Sequence, residues 1–178
     1  MIYGKHENDY YFNRMRLNNP SKYTVLLFSL ALLGCSAPTN LETPERIGGK
    51  ERTKIISGAK AATVVDKLHG LSVAPDASII VEYGQENKDV LYISRYSNRN
   101  EANESLNLMV GKIAAAEKGP FHHLMQIRKY KDKVYMTLGM GAIHYIYLSD
   151  KSVLWLQSYQ SFGTALPPQL LKMYPTGW

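Results

Sequence analysis

The chain has 178 residues, of which 45% are apolar and 20% are charged; this is the size and composition of one folded domain, not of a disordered or collagen-like protein. Lysine and arginine number 21 against 15 aspartate and glutamate residues. Because this modest excess is scattered along the sequence, it does not indicate a nucleic-acid-binding protein. The single cysteine excludes an intrachain disulfide framework and a multi-cysteine zinc site.

An apolar segment near the N-terminus is the most specific local signal. Residues 23–33 read YTVLLFSLALL, about half of the roughly 20 residues that a membrane-spanning helix needs. Basic residues precede the segment and small residues follow it, an order typical of a secretory signal peptide. Met15 gives a more typical short basic head than Met1 does. We therefore predict that residues 1–34 are a signal peptide, with Met15 as an alternative start, and are absent from the mature protein.

The only cysteine closes this segment in the sequence Leu32-Leu33-Gly34-Cys35, which resembles the lipobox of bacterial lipoproteins. The resemblance covers the first 35 residues. It implies that Cys35 becomes the N-terminus after cleavage, carries a diacylglyceryl group on its sulfur and receives a fatty acyl chain such as palmitate on its amine. Ser36 stands where aspartate would signal retention in the inner membrane, so the resemblance favours the outer membrane, with the protein facing the periplasm. The alternative is a buried cysteine at the end of a core helix.

A polar stretch follows the cysteine. Residues 36–52 are mostly serine, proline, threonine, asparagine, glutamate and glycine, and only Leu41 and Ile47 are larger apolar residues. Such a segment buries too little surface to offset its chain entropy. We therefore predict an acylated cysteine and flexible tether over residues 35–56, followed by a single domain over residues 57–178.

Apolar periodicity predicts the elements of this domain. A three-four repeat over residues 98–119 indicates a long helix that is capped by Asn98 or Asn100 and ends at Gly119-Pro120. Shorter helices are predicted over residues 57–68 and after Pro167. Alternating segments predict strands at residues 78–83, 89–96, 122–130, 133–138, 142–148 and 152–159. Their short links make neighbouring strands antiparallel.

These elements predict an α+β domain. An antiparallel β-sheet of about five or six strands is expected to be covered on one face by the long helix, with short N- and C-terminal helices beside it. A doubly wound α/β fold is the alternative.

Strand alternation predicts an aromatic face on this sheet. The residues expected to face the helix are Leu91, Ile93, Val134, Met136, Leu138, Leu154 and Leu156, joined by His144, Ile146 and Leu148. The opposite face then presents Tyr92, Tyr135, Tyr145, Tyr147, Val153 and Trp155. Aromatic side chains combine apolar area with polar tips, which suits a ligand or a partner. The alternative is that tyrosine is simply a good strand residue, covered by the C-terminal segment.

Three histidines lie on nearby predicted strands. Because adjacent strand residues face opposite ways, only one of His122 and His123 can join His144, which falls short of the three protein ligands of a catalytic zinc. We predict no metal site and no cofactor. Gly139-Met140-Gly141 lacks the third glycine, the lysine and the following helix of a phosphate-binding loop, so it predicts a bulge or tight turn.

The sequence contains no serine elbow, paired carboxylates, Cys-His pair or His-Glu helix motif. We therefore predict a cell-envelope lipoprotein that is a binding or interaction module rather than an enzyme. Its expected partners are the lipid bilayer, through Cys35, and an envelope protein or a second copy, with no nucleic acid. The candidate binding residues are Tyr92, Tyr135, His144, Tyr145 and Trp155. The alternative is an envelope enzyme or small-ligand-binding protein with its site around His144, Tyr145 and the Gly139–Gly141 bend.

Overall fold

The structure is a computed structural model that describes residues 41–69 and 75–176. The predicted signal peptide, Cys35 and the first residues of the predicted tether lie outside the described residues. In the described part of the chain, every helix is too short or too polar to cross a bilayer.

The described residues form eight strands and three helices. In chain order they are β1 (Arg46–Ile47), β2 (Lys50–Ser57), α1 (Gly58–His69), β3 (Ala77–Tyr83), β4 (Asp89–Arg95), α2 (Arg99–Ala115), β5 (Phe121–Gln126), β6 (Val134–Gly139), β7 (Ala142–Ser149), β8 (Ser152–Ser158) and α3 (Pro168–Met173). The helices and the six strands that the sequence predicts are all present near the expected positions. Asn98 caps α2 as predicted, because its side chain accepts a hydrogen bond from the Glu101 amide at 3.0 Å.

All strands pair antiparallel in one sheet, in the order β1-β2-β3-β4-β8-β7-β6-β5. The hairpin of β3 and β4 leads into α2, which carries the chain to the far edge at β5. The remaining strands then run back as a meander until β8 pairs with β4. This return places β8 at the centre of the sheet, next to both halves of the chain.

The predicted architecture of five or six strands covered by one long helix is wrong. The sheet has eight strands and curls into a half-barrel, and its helices are short. Helix α2 spans 17 residues and buries only Ala102, Ser105, Leu106 and Met109, because it crosses a limited part of one face.

The two missed strands come from residues predicted to belong to the tether. Gly48 and Gly49 have positive φ and form the turn between β1 and β2, while Leu41 and Ile47 are buried. On its outer side strand β2 is flanked only by the two-residue β1, so most of its length forms one edge of the sheet, and most of its side chains are exposed. An edge strand of this kind has little apolar alternation, so periodicity does not reveal it.

Two cores lie on opposite faces of the sheet. The main core combines the face of Leu91, Tyr145 and Leu156 with apolar side chains of the N- and C-terminal segments, such as Leu41 and Leu170. The helix-side core lies under α2 and contains Tyr96, Ala102, Leu106, Met109, Ile146, Leu148 and Val153. Helix α1 packs against β2 and β3 and buries Ala61 and Val65.

The predicted facing of the strands is wrong in two respects. The set headed by Leu91 and Leu156 faces away from α2, and the prediction groups this set with the wrong residues of β7. Ile146 and Leu148 lie under α2 as predicted, while Tyr145 shares the main core with Leu91 and Leu156. The two-residue turn at Met140 and Gly141, with φ of 52° and 74°, is the cause. It pairs Gly139 with Ala142, and this register places Tyr145 opposite Met136. The predicted tight turn is thus confirmed.

A buried ion pair ties β2 to the β3–β4 hairpin. Asp89 is fully buried and its Oδ1 accepts hydrogen bonds from Lys50 Nζ at 2.9 Å and from the Tyr159 amide at 3.0 Å. Gln160 Nε2 donates to the other oxygen at 3.4 Å. The carboxylate therefore joins the edge strand, the hairpin and the segment after β8.

Candidate binding cleft

Aromatic side chains of three strands meet at the C-terminal end of α2. Gly139 pairs with Phe121, and a Cβ at Gly139 would lie 2.5 Å from the Phe121 ring. The absence of a side chain therefore lets Phe121 lie across the sheet, with its ring centroid 5.0 Å from that of His144 and 5.3 Å from that of Trp155. Both distances are typical of favourable aromatic pairs.

The hydrogen bonds of His144 fix its tautomer. Trp155 Nε1 can only donate, and it donates to His144 Nδ1 at 2.9 Å. The proton of the neutral ring must then be on Nε2, which donates to the Gly139 carbonyl at 2.9 Å. Burial lowers the pKa of His144, and the bond to Gly139 only partly opposes this. His144 is therefore a neutral ring with both nitrogens occupied, so it cannot bind a proton or a metal without losing a hydrogen bond.

The rings of Phe121 and Trp155 form one wall of a cleft of about 200 Å³. Phe121 and Trp155 are half-buried, and Lys112 supplies the one charged side chain of the lining. Leu108 is 56% exposed and lies one turn before Lys112 on the same stripe of α2. We call this the aromatic cleft; its lining residues are Met109, Lys112, Ile113, Ala116, Gly119, Pro120, Phe121 and Trp155.

The five predicted binding residues do not form one open surface. Tyr92, Tyr135, His144 and Trp155 share the face of α2, where the register aligns Tyr92 with Trp155 and Tyr135 with Ile146. Tyr145 lies on the opposite face, is fully buried, and hydrogen-bonds through its hydroxyl to the Gly163 carbonyl and the Phe162 amide at 3.1 Å each. Among the five, only Trp155 lines the aromatic cleft.

Sequence reasoning missed Phe121, Met109 and Ile113 as lining residues. The three-four repeat of residues 98–119 predicts that Met109 and Ile113 pack on the sheet, and both partly do so. The available signal was the Gly119-Pro120 stop, which places Phe121 directly beside the end of that stripe. Periodicity alone does not show that the stripe extends beyond the sheet that it covers.

The arrangement around His144 gives no support to an acid–base site. His144 and Gly139 are in contact, but Tyr145 points to the other face of the sheet. Since both imidazole nitrogens are used within the fold, the described residues present no free base there.

The prediction that His122 and His123 face opposite ways is also wrong. The ladder between β5 and β6 is irregular after His122, and His123 has a φ of 56°. This bulge turns both rings to one side, with 2.6 Å between the two Nδ1 atoms. Even so, the described residues contain no group of three or more side chains arranged to hold a metal ion.

Comparison of the chain with known protein families, with curated proteins and with solved structures finds no match. The geometry of the aromatic cleft is therefore the basis for assigning its chemistry.

Proposed function

We propose that this protein is a lipid-anchored binding module of the bacterial cell envelope, which holds an apolar side chain of a partner protein in the aromatic cleft. The observation that carries the proposal is the half-buried pair of Phe121 and Trp155 in the wall of an apolar cavity that opens to the surface.

The chemistry of the cleft favours an apolar occupant. The indole N–H of Trp155 is already bonded to His144, so the aromatic wall offers area without a free donor. A dry cavity of about 150 Å³ can take a benzene-sized molecule, so a cleft of about 200 Å³ has room for one leucine or phenylalanine side chain. Burying such a side chain contributes about 1.5–3 kcal/mol, or roughly a 10- to 150-fold change in Kd.

The surroundings of the cleft favour a protein over a small molecule. The exposed Leu108 extends the apolar surface along α2 beyond the cavity, and Lys112 adds a positive charge at its rim. A protein segment with one apolar anchor and further apolar surface beside it would contact the cavity and the Leu108 ridge together. A small molecule held in the cavity would leave Leu108 in water.

The proposed anchor places this partner near the membrane. Leu41 already packs in the main core, six positions after Cys35 in the sequence. Six residues reach at most about 20 Å when fully extended. A chain acylated at Cys35 therefore holds its domain close to the bilayer surface, within reach of other envelope proteins.

Photo-cross-linking in native membranes tests the cleft. A photoreactive phenylalanine replaces Lys112 at the rim or, as a control position, the exposed Glu86 in the β3–β4 turn. We expect a cross-linked product from position 112 only, which Ala116→Glu abolishes because it places a charge in the cleft. Ala114→Glu, at an exposed position of α2 that does not line the cleft, should leave it unchanged.

Three results would contradict this assignment. A product that persists in Ala116→Glu, or one that forms equally from position 86, would show that the cleft is not the contact. A product of twice the chain mass would show that the occupant is a second copy of this chain and not another protein.

The anchor is tested separately by mass measurement of protein from its own membranes. We expect a chain that begins at Cys35 and carries acyl groups, and we expect Cys35→Ser to remain unprocessed and unlabelled by an alkyne fatty acid. Ser36→Asp should keep the label but move the protein from the outer to the inner membrane. A free thiol with residues 1–34 still attached would refute the anchor.

A further inference from the structure

A second cleft lies beside the last residue of β4 and the turn between β7 and β8. Residues 41–42 and 173–175 form its other walls. Its volume is about 380 Å³, within the usual size range of small-molecule sites. We call it the Arg95 cleft; its lining residues are Leu41, Glu42, Arg95, Ser149, Asp150, Ser152, Met173, Tyr174 and Pro175.

Arg95 occupies a position that an apolar residue would normally take. It continues the alternating row of Leu91 and Ile93 at the last position of β4, where it is half-buried. Its Nε atom is buried and has no hydrogen-bond partner, and none of the ion pairs found among the described residues includes Arg95. A buried donor without a partner is costly, and more so on a charged group.

Another unsatisfied group lies nearby. The Tyr147 hydroxyl is buried without a partner, and Tyr147 lies on the same face of β7 as Ser149, two positions before this residue of the cleft lining. Tyr174 donates to the Glu42 carbonyl at 2.7 Å and so closes one wall of the cleft. Two of the three unpartnered buried side-chain atoms in the described part of the chain are therefore at this end of the main core.

We propose that the Arg95 cleft binds the carboxylate of a small zwitterion, an amino acid or a short peptide with free ends. The planar guanidinium fork matches a carboxylate in two-point geometry. Ser149 and Ser152 flank Arg95 on the cleft wall, because Arg95 pairs with Ser152 and Ser152 pairs with Ser149 in the sheet. Their hydroxyls are the donors available to the second carboxylate oxygen.

The charge of the cleft selects the rest of the ligand. Glu42 and Asp150 line the same cleft and are exposed. The lining therefore carries one positive side chain, Arg95, and two negative ones. This balance disfavours phosphate and other multiply charged anions, and it favours a ligand that places an ammonium group near the acidic side chains. Leu41, Met173 and Pro175 supply apolar surface for an aliphatic part between the two ends.

Calorimetric titration of the whole chain with the dipeptide alanyl-leucine tests the proposal. We expect saturable binding, weakened at least tenfold when the dipeptide carboxylate is replaced by an amide. Arg95→Gln should give the same loss, whereas Arg46→Gln, at an exposed arginine paired with Glu51, should bind as the wild type does. The N-acetylated dipeptide should bind more weakly than the free one, because it lacks the ammonium group.

A folding defect is separated from a binding defect by a second variant and a second measurement. Arg95→Lys keeps the charge without the fork and should lose most of the binding. The thermal midpoint of Arg95→Gln without ligand should stay close to that of the wild type, because Arg95 is in none of the ion pairs found among the described residues and its buried Nε has no hydrogen-bond partner to lose. The dipeptide should raise the midpoint of the wild type only.

Equal binding by the wild type and Arg95→Gln, equal binding of the dipeptide and its amide, or no binding of any probe at millimolar concentration would overturn the proposal. Equal binding of the acetylated dipeptide would overturn the role of Glu42 and Asp150. The site is independent of the aromatic cleft, so Ala116→Glu should bind alanyl-leucine unchanged.

Discussion

Acidification should destabilise the folded chain through His144. Its folded pKa lies below the ordinary value of 6.5, chiefly because the ring is buried. Protonation would also require Nδ1 to give up the hydrogen bond that it accepts from Trp155. As the pH falls below about 6.5, the unfolded chain therefore binds a proton at this site before the folded chain does.

The sign and the upper limit of the effect follow from proton linkage. Above about pH 6.5 the ring is neutral in both states and imposes no penalty, and as the pH falls toward the folded pKa the free energy of unfolding decreases by at most about 1.4 kcal/mol per pH unit. Glu82 has a pKa lowered below 4.5 by hydrogen bonds from Lys88 and then Lys54, so the stability that it adds is lost only in more acidic solution.

Urea unfolding of the wild type and of His144→Phe at about pH 7, 6 and 5 measures this term. The variant should be less stable at the upper pH by roughly 1–3 kcal/mol, because the Gly139 carbonyl loses its donor. Its free energy of unfolding should fall less with acid than that of the wild type. A wild-type slope of zero, or an unchanged slope in His144→Phe, would refute the buried neutral ring.

Three substitutions, two of them with a matched control, test the contacts that hold the fold together, each by the shift of its urea midpoint. Gly139→Ala places a Cβ against the Phe121 ring and should cost about 1–3 kcal/mol, and Gly141→Ala, at a positive φ with open space, about 1 kcal/mol; equal costs would contradict the close approach at Gly139. Asp89→Ala leaves a lysine without its buried partner and should cost about 3–5 kcal/mol, while Glu51→Gln, in an exposed ion pair, should stay within about 1 kcal/mol. Asn98→Ala removes the cap of α2 and should cost about 0.5–2 kcal/mol, and no loss would show that the cap is dispensable.

The elements of the domain could be predicted because their signals are local. The Asn98 cap, the glycine at the 139–141 turn and the alternation within β4, β6 and β8 each depend on residues only a few positions apart. Strand β2 could not be predicted in this way, because an exposed edge strand has no apolar face to reveal it. Its place is set by pairing with β3 and by the buried contact of Lys50 with Asp89, which is 39 residues away in the sequence.

Which residues share a face was decided by the tertiary structure. Each strand's alternation was correct by itself, but the turn at Met140 and Gly141 fixes the register of β7 against β6, and this register places Tyr145 rather than Ile146 on the same face as Met136 and Leu156. The crossing of α2 then decides which face is covered and brings Phe121 to Trp155. The alternation of apolar residues describes one strand at a time. A cleft depends on the register between several strands and on which helix covers them, and contacts between residues far apart in the chain set both.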